Sequence, residues 1–488
     1  VKSSFSAAVI TRALANLTAV GTSFVSIRLY NLYVSKEVYG AILVGLGITS
    51  YLPIFSSGFR MALNQQVLAE SDAAEARQIA TFSQTLQTYF LLIVLVLAVS
   101  VMAVYSQVPS ARHLGISMPV FLVTGAAAAL IFHAGAQLGM LVAFGEQVVS
   151  TILQTMWGVF QLLILWLAFR SGVGVWAFPA SIGGSALLTI LLARLAMDRA
   201  QHNIPMLLFR AGPDFRERLG RVWTPSLDGL RNQLATALIY NLDLILVGLL
   251  VGAGEAAVYG VLTRIAGLSR MALNAMSEAA WPRLAQQQDA TARAKMMRTL
   301  DRLNAWSAGC WYGAMAATLH AFLGWFIKAD WVASPTLVGL VVVRFFVVSL
   351  ATPHNYGLMS AGKFQGLALI SQREVIVLAT LGPLLTWYYG SLGTAVAFLI
   401  GALTVSGWQT THRYFQDAVG THWLAEWRAI YARGLVGGVV ALGLAAGIWS
   451  LGQRVHAPGW AALLAGGLGY VLPLLPVAYW RLRTGEAP

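Results

Sequence analysis

Apolar stretches of about 20 or more residues recur along the whole chain, and a segment of that kind leaves water stably only as a helix across a bilayer, where no solvent satisfies an open backbone. Fourteen such spans are predicted: 5–34, 38–60, 78–106, 118–142, 148–169, 175–197, 223–250, 256–282, 300–327, 335–360, 366–389, 393–412, 432–452 and 459–480. With 58% hydrophobic and 10% charged residues in 488, the fold class is an all-α polytopic membrane protein. The first apolar run continues to Val34 without a small-residue cleavage site, so it reads as a span and not as a signal peptide.

The segments between spans, taken with the span ends that adjoin them, alternate in charge. Those on the N-terminal side carry 20 Lys and Arg, the largest group being Arg194, Arg199, Arg210, Arg216, Arg218 and Arg221; the other side carries five, Lys36, Arg112, Arg170, Lys328 and Arg454. The positive-inside rule then puts both termini in the cytoplasm, and the even span number agrees. Seven arginines remain within spans: Arg12, Arg28, Arg60, Arg231, Arg264, Arg270 and Arg344.

The net charge of +13 is spread between apolar segments, which argues for topology and an anionic lipid or substrate and against nucleic acid. A single cysteine, Cys310, supports no disulfide framework and no Cys-rich metal site. No hydrolase, transferase, cofactor or metal constellation is visible, so the chain is not read as an enzyme. His133 and His354 stand alone in their spans, each expected to meet a local hydrogen-bond partner. Aromatic pairs toward span ends, Trp325 with Trp331 and Tyr388 with Tyr389, read as interfacial belts.

The chain also resembles itself at a shift near 220. Arg12 falls on Arg231, Tyr39-Gly40 on Tyr259-Gly260, "LNQQ" from Leu63 on "LAQQ" from Leu284, and "GVWAFPASIGG" from Gly174 on "GTAVAFLIGA" from Gly393. Each match is weak by itself, and the common shift is what argues for a repeat. The unit is six spans, so the copies run parallel about an axis along the membrane normal, an arrangement that puts a substrate path where the halves meet. The expected division is an N-lobe at 1–197, a basic cytoplasmic linker at 198–222, a C-lobe at 223–413, and spans 13 and 14 with a tail at 414–488.

"FVSIRLYNLYVSKEVYGAILVGLGITSYLPIFSSGFRMALNQQ" resembles the first two spans of Wzx-type polysaccharide flippases, in the multidrug/oligosaccharidyl-lipid/polysaccharide exporter superfamily. "YNLDLILVGLLVGAGEAAVYGVLTRIAGLSRMALNAMSEAAWPRLAQ" is similar to spans seven and eight of the same family, with Asp243, Tyr259-Gly260 and Pro282-Arg283. The resemblance implies an inner-membrane carrier that moves an isoprenoid-pyrophosphate-linked glycan from the cytoplasmic to the periplasmic leaflet by alternating access. It also implies an H+ or Na+ counter-ion and a polysaccharide polymerase and assembly proteins as partners. In the related lipid II flippases, arginines of spans 1, 2 and 8 line a cationic cavity, and Arg12, Arg60 and Arg264 stand at similar positions here. The fourteen-span count fits that branch too, so lipid II is an alternative cargo.

A pyrophosphate cannot cross hydrocarbon unpaired, and an arginine fork binds its oxygens bidentately while keeping its charge. The expected binding set is therefore Arg264, Arg270, Arg344, Arg12, Arg231 and Arg60. Arg264 and Arg270 are six residues apart, about 120° around a helix, so both cannot face one path squarely. Arg28 and Arg60 lie near span ends, where long side chains also reach the headgroups. Glu278, Asp228 and Asp243 are the acids placed for ion coupling, although Asp228 stands at i, i+3 from Arg231 and can neutralise it, and Asp243 can serve as a cap. Two rivals remain. An organic-cation antiporter of the same superfamily concentrates carboxylates in its cavity; a membrane polymerase or glycosyltransferase commonly carries a large outward catalytic loop, and every outward loop here is short.

Overall fold

A computed structural model describes residues 5–51, 54, 59, 63, 67, 72–200, 215–287, 289–361, 363–419, 423–454, 461 and 464–471. Among them there is no strand, and the all-α reading holds. In chain order the long helices are α1 (Phe5–Tyr33), α2 (Lys36–Thr49), α3 (Ala73–Tyr105), α4 (Met118–Ala143), α5 (Gln147–Arg170), α6 (Ala177–Arg199), α7 (Phe215–Leu246), α8 (Ala253–Gln286), α9 (Ala290–Phe326), α10 (Pro335–Ser360), α11 (Phe364–Gly401), α12 (Gly407–Arg413) and α13 (Trp423–Arg454). They follow the expected spans up to the thirteenth. The fourteenth lies mostly outside the described residues, as do most of the 198–222 linker and the second half of span 2.

Helix starts have local causes. Ser35 accepts from the Val38 amide, Asp72 from Ala74, Asp289 from Thr291 and Ser334 from Leu337, each meeting an amide that the first turn leaves unpaired. The helices outrun the apolar windows because a good cap lets polar turns continue them: α9 begins at Ala290, ten residues before its expected span. The expected gap between spans 11 and 12 is a break within α11, at Gly390, whose φ of 61° is left-handed and so favours glycine. In the first half of the chain Gly172 and Gly174, with φ of 75° and 59°, turn the backbone at the corresponding place of the sequence repeat.

The chain forms two compact units, Val1–Ala257 and Val258–Pro488. In the first, α4 packs on α3 and α6 through small residues; a Cβ on Gly125 would come within 2.7 Å of the Ala98 carbonyl oxygen. An aromatic cluster closes one end, with Tyr30 stacked on Phe178 at 4.8 Å, Tyr33 on Phe169 at 4.9 Å, and Tyr39 beside Tyr30 at 4.7 Å. Gly40 of α2 lies so close to the Ala253 carbonyl, and Gly248 to Val44, that neither tolerates a side chain. These contacts hold α7 and the first residues of α8 in the first unit.

The second unit has a glycine seam. Gly309 and Gly313 of α9 face the backbone of Gly434 and Gly438 of α13, and a Cβ on either α9 glycine would run into a carbonyl of α13. That is small-xxx-small packing on both helices, the close contact expected of glycine-rich span 13. Outward faces are apolar, as lipid requires: Val96, Leu191 and Val439 are exposed. Trp387, Tyr388 and Tyr389 stand out beside the Gly390 break, as an interfacial belt would, and Trp325 is exposed as well. Trp331 departs from the belt reading, since a 3-10 turn at Ala329–Trp331 folds it inward to 1% exposure.

Candidate functional site

The best-defined charged centre lies in the second unit, on α10, α11 and the turn after it. Arg344 of α10 is 3% exposed, with its guanidinium 4.5 Å from the Phe398 ring centroid and 5.4 Å from that of Phe345. An aromatic face is a good surface for this cation, because the ring quadrupole attracts charge without the desolvation cost of a second ion. Glu374 of α11, 4% exposed, interacts electrostatically with Arg344 and hydrogen-bonds Ser406. Ser406 ends a π-helical stretch, Ala402–Ser406, a widened turn of the kind found at functional sites. Gly401 lets this turn approach, since its Cβ would come within 2.8 Å of Leu378 and 3.6 Å of the Glu374 Cγ.

Two more of the expected arginines belong to the same unit. On α8, Gly267 stands midway between Arg264 and Arg270, and a Cβ there would lie 3.9 Å from Phe345 Cε1. Each arginine is three residues from that contact, so each is about 60° from it around the helix, on opposite sides. Arg264 is exposed and Arg270 half-buried. The seam of α8 on α10 is thus flanked by two cations, with Arg344 beside Phe345 behind it.

The remaining expected residues are placed elsewhere. Arg231 of α7 is exposed in the first unit. Asp243 of α7 is 3% exposed; its Oδ1 accepts from the Leu244 amide at 2.8 Å, and its charge acts on Tyr51. Arg60, and the side chains of Arg12, Asp228 and Glu278, lie outside the described residues.

His354 departs from the expectation of a local partner: its Nε2 lies 3.2 Å from Asp301 Oδ2 of α9 and its Nδ1 3.3 Å from Thr411 Oγ1 of α12, both on other helices. His133 does meet a neighbour on its own helix, Gln137 at 3.4 Å, and Gln137 in turn donates to Gln84 of α3. Sequence reasoning missed Glu374 and Asp301 altogether. A signal for Glu374 existed, an acid inside the apolar run of 366–389, while Asp301 begins a span beside Arg298 and Arg302 and reads as a headgroup charge. Among the described residues no group of three His, Cys, Asp or Glu side chains could hold a metal ion.

No protein-family model matches the chain, and no curated protein does either. Solved structures do. A lipid II flippase, MurJ in an inward closed conformation, is 12% identical with a TM-score of 0.69, over 98% of this chain and 99% of its own. An inward-facing multidrug resistance transporter of the MATE family, in the MOP superfamily, is 14% identical with a TM-score of 0.63, over 87% of this chain and 98% of its own. The eukaryotic MATE transporter AtDTX14 is 12% identical with a TM-score of 0.56, over 88% of this chain. At these identities the likeness is one of fold alone, a fold shared with these transporter structures.

Proposed function

We propose that the chain is a flippase that carries an isoprenoid-pyrophosphate-linked oligosaccharide across the bacterial inner membrane, from the cytoplasmic to the periplasmic leaflet, for surface polysaccharide assembly. The observation that carries this reading is the arginine-flanked seam: Arg264 and Arg270 on either side of the Gly267–Phe345 contact, with Arg344 next to it. Intramembrane arginine is costly, by roughly 2.5–3.5 kcal/mol at a helix centre, and an anionic cargo gives that cost a use. A pyrophosphate diester offers several oxygens to a guanidinium fork, and two forks on one helix can take it in turn or together. On this reading Arg264 and Arg270 hold the pyrophosphate, Arg344 supplies a third positive charge balanced in part by Glu374, and Arg12, Arg60 and Arg231 are further candidate pyrophosphate ligands by sequence.

The shared fold with transporters supports a carrier over an enzyme. An organic-cation antiporter is disfavoured because the charged seam is positive. A second reading, lipid II as the cargo, is favoured by length: the lipid II flippase structure matches 98% of this chain, against 87% and 88% for two MATE structures. Both cargoes share the pyrophosphate chemistry and differ in the glycan. Vesicles containing the purified protein separate them: given a fluorescent undecaprenyl-pyrophosphate oligosaccharide or lipid II, the protein should move the first faster, and exclusive movement of lipid II would assign the second reading.

A further inference from the structure

We propose that His354, Asp301 and Thr411 form a proton-binding site in the second unit. Its use in transport rests on the carrier reading; proton binding itself does not. The site is assembled from three helices, and both ionisable side chains are enclosed, Asp301 at 3% exposure and His354 at 0%. The 3.2 Å approach of Nε2 to Asp301 Oδ2 is an ion-pair distance that is not aligned as a hydrogen bond, and neither Asp301 oxygen accepts another one. Tyr414 and Phe415 close the other side, with ring centroids 5.8 Å and 5.5 Å from the imidazole. Gly357 admits Tyr414, since a Cβ there would come within 2.5 Å of its Cε2. Among the described residues, Arg293 and Arg298 act, with Asp301, on the Tyr414 hydroxyl, and Arg298 is held by Glu426 of α13 at 2.7 Å.

A neutral imidazole beside a carboxylate carries a net charge of minus one, and one proton makes the pair neutral overall. In an apolar enclosure that difference is large. Thr411 lets both states keep their contacts, because a hydroxyl can donate or accept. In the unprotonated site Nε2–H faces Asp301 and the Thr411 O–H donates to Nδ1. When hydronium delivers a proton to the Nδ1 lone pair, the Thr411 hydroxyl rotates and accepts from the new N–H, and the released water departs. No other bond breaks.

The neighbouring backbone gives the switch something to move. Pro353, next to His354, has no N–H for the Ser349 carbonyl, which accepts instead from Asn304 Nδ2 of α9 at 2.8 Å, while the Ser349 hydroxyl meets the Tyr312 hydroxyl at 3.1 Å. The α9–α10 seam therefore hangs on side-chain hydrogen bonds at the place where α10 has lost one of its own. Proton uptake turns the Asp301–His354 contact into a full ion pair across that seam.

The test uses the full-length protein with isotope-labelled histidine in lipid vesicles, followed by imidazole NMR between about pH 5 and 9 without substrate. Eight histidines contribute, so the signal is assigned by its loss in His354→Asn. We expect that signal to titrate, Thr411→Val to weaken proton binding about tenfold by leaving the Nδ1–H without its acceptor, and Thr411→Ser to behave as wild type. A His354 signal that is constant over the range, or is unaffected by Thr411→Val, overturns the proposal, as does one that responds to Na+ at fixed pH in place of H+. A titrating His354 in a protein that moves no pyrophosphate-linked glycan leaves the proton site standing and removes the carrier reading alone.

Discussion

Among single residues, Arg264 and Arg344 separate two uses of the same side chain. Arg264 is exposed on α8. If it holds pyrophosphate, Arg264→Lys should reduce transport about tenfold or more despite keeping the charge, because an ammonium cannot make the two parallel bonds of the guanidinium. Arg264→Ala should abolish transport with unchanged membrane abundance, and glycan export measured beside abundance in cells checks both. Arg344 is enclosed by Phe345 and Phe398 and compensates Glu374. Arg344→Ala should therefore destabilise the protein by about 3–5 kcal/mol, the scale on which an uncompensated buried charge is costly, and Glu374→Gln in the same chain should restore much of the loss. Thermal unfolding of the detergent-solubilised variants reads this directly. A stable Arg344→Ala protein would mean that Glu374 is not held as a charge. The sequence made the depth of Arg344 legible but not its partner, since 30 residues of chain separate it from Glu374 and only the α10–α11 packing joins them.

For the helices, close backbone contact decides what can change. Gly309→Val or Gly313→Val should separate α9 from α13, because the Cβ would meet a carbonyl on the facing helix. Lowered abundance and a lower unfolding temperature are expected, whereas Gly443→Ala, with nothing within 4 Å of the added atom, should be neutral. Equal behaviour of the two kinds of variant would contradict the glycine seam. Helix existence was well marked in the sequence, because length and hydropathy alone define a span. Helix ends were not. Where α9 starts depends on the Asp289 cap and not on hydropathy, and spans 11 and 12 are parted by one left-handed glycine and not by a polar loop. Glycine contents of span 13 were visible in the sequence, but which glycines face Gly309 and Gly313 follows from the helix pairing.

Across the whole molecule, the expectation that rests most on sequence is orientation, drawn from the 20-to-5 asymmetry of loop charges. Native Cys310 is fully buried, so introduced cysteines are read against a silent background. Glu255→Cys, exposed at the start of α8, should label from the periplasmic side, and Lys295→Cys, exposed in the first turns of α9, from the cytoplasmic side. Labelling of both from one side would refute the topology. The central claim is narrower still: the cargo is recognised by its pyrophosphate. Vesicles carrying the wild-type protein should flip a short-chain glycan linked to isoprenoid pyrophosphate, while the same glycan on isoprenoid monophosphate moves at least tenfold more slowly, and Arg264→Lys should erase that preference. Equal flipping of the two lipids by the wild-type protein, or a preference unchanged in Arg264→Lys, would contradict the account.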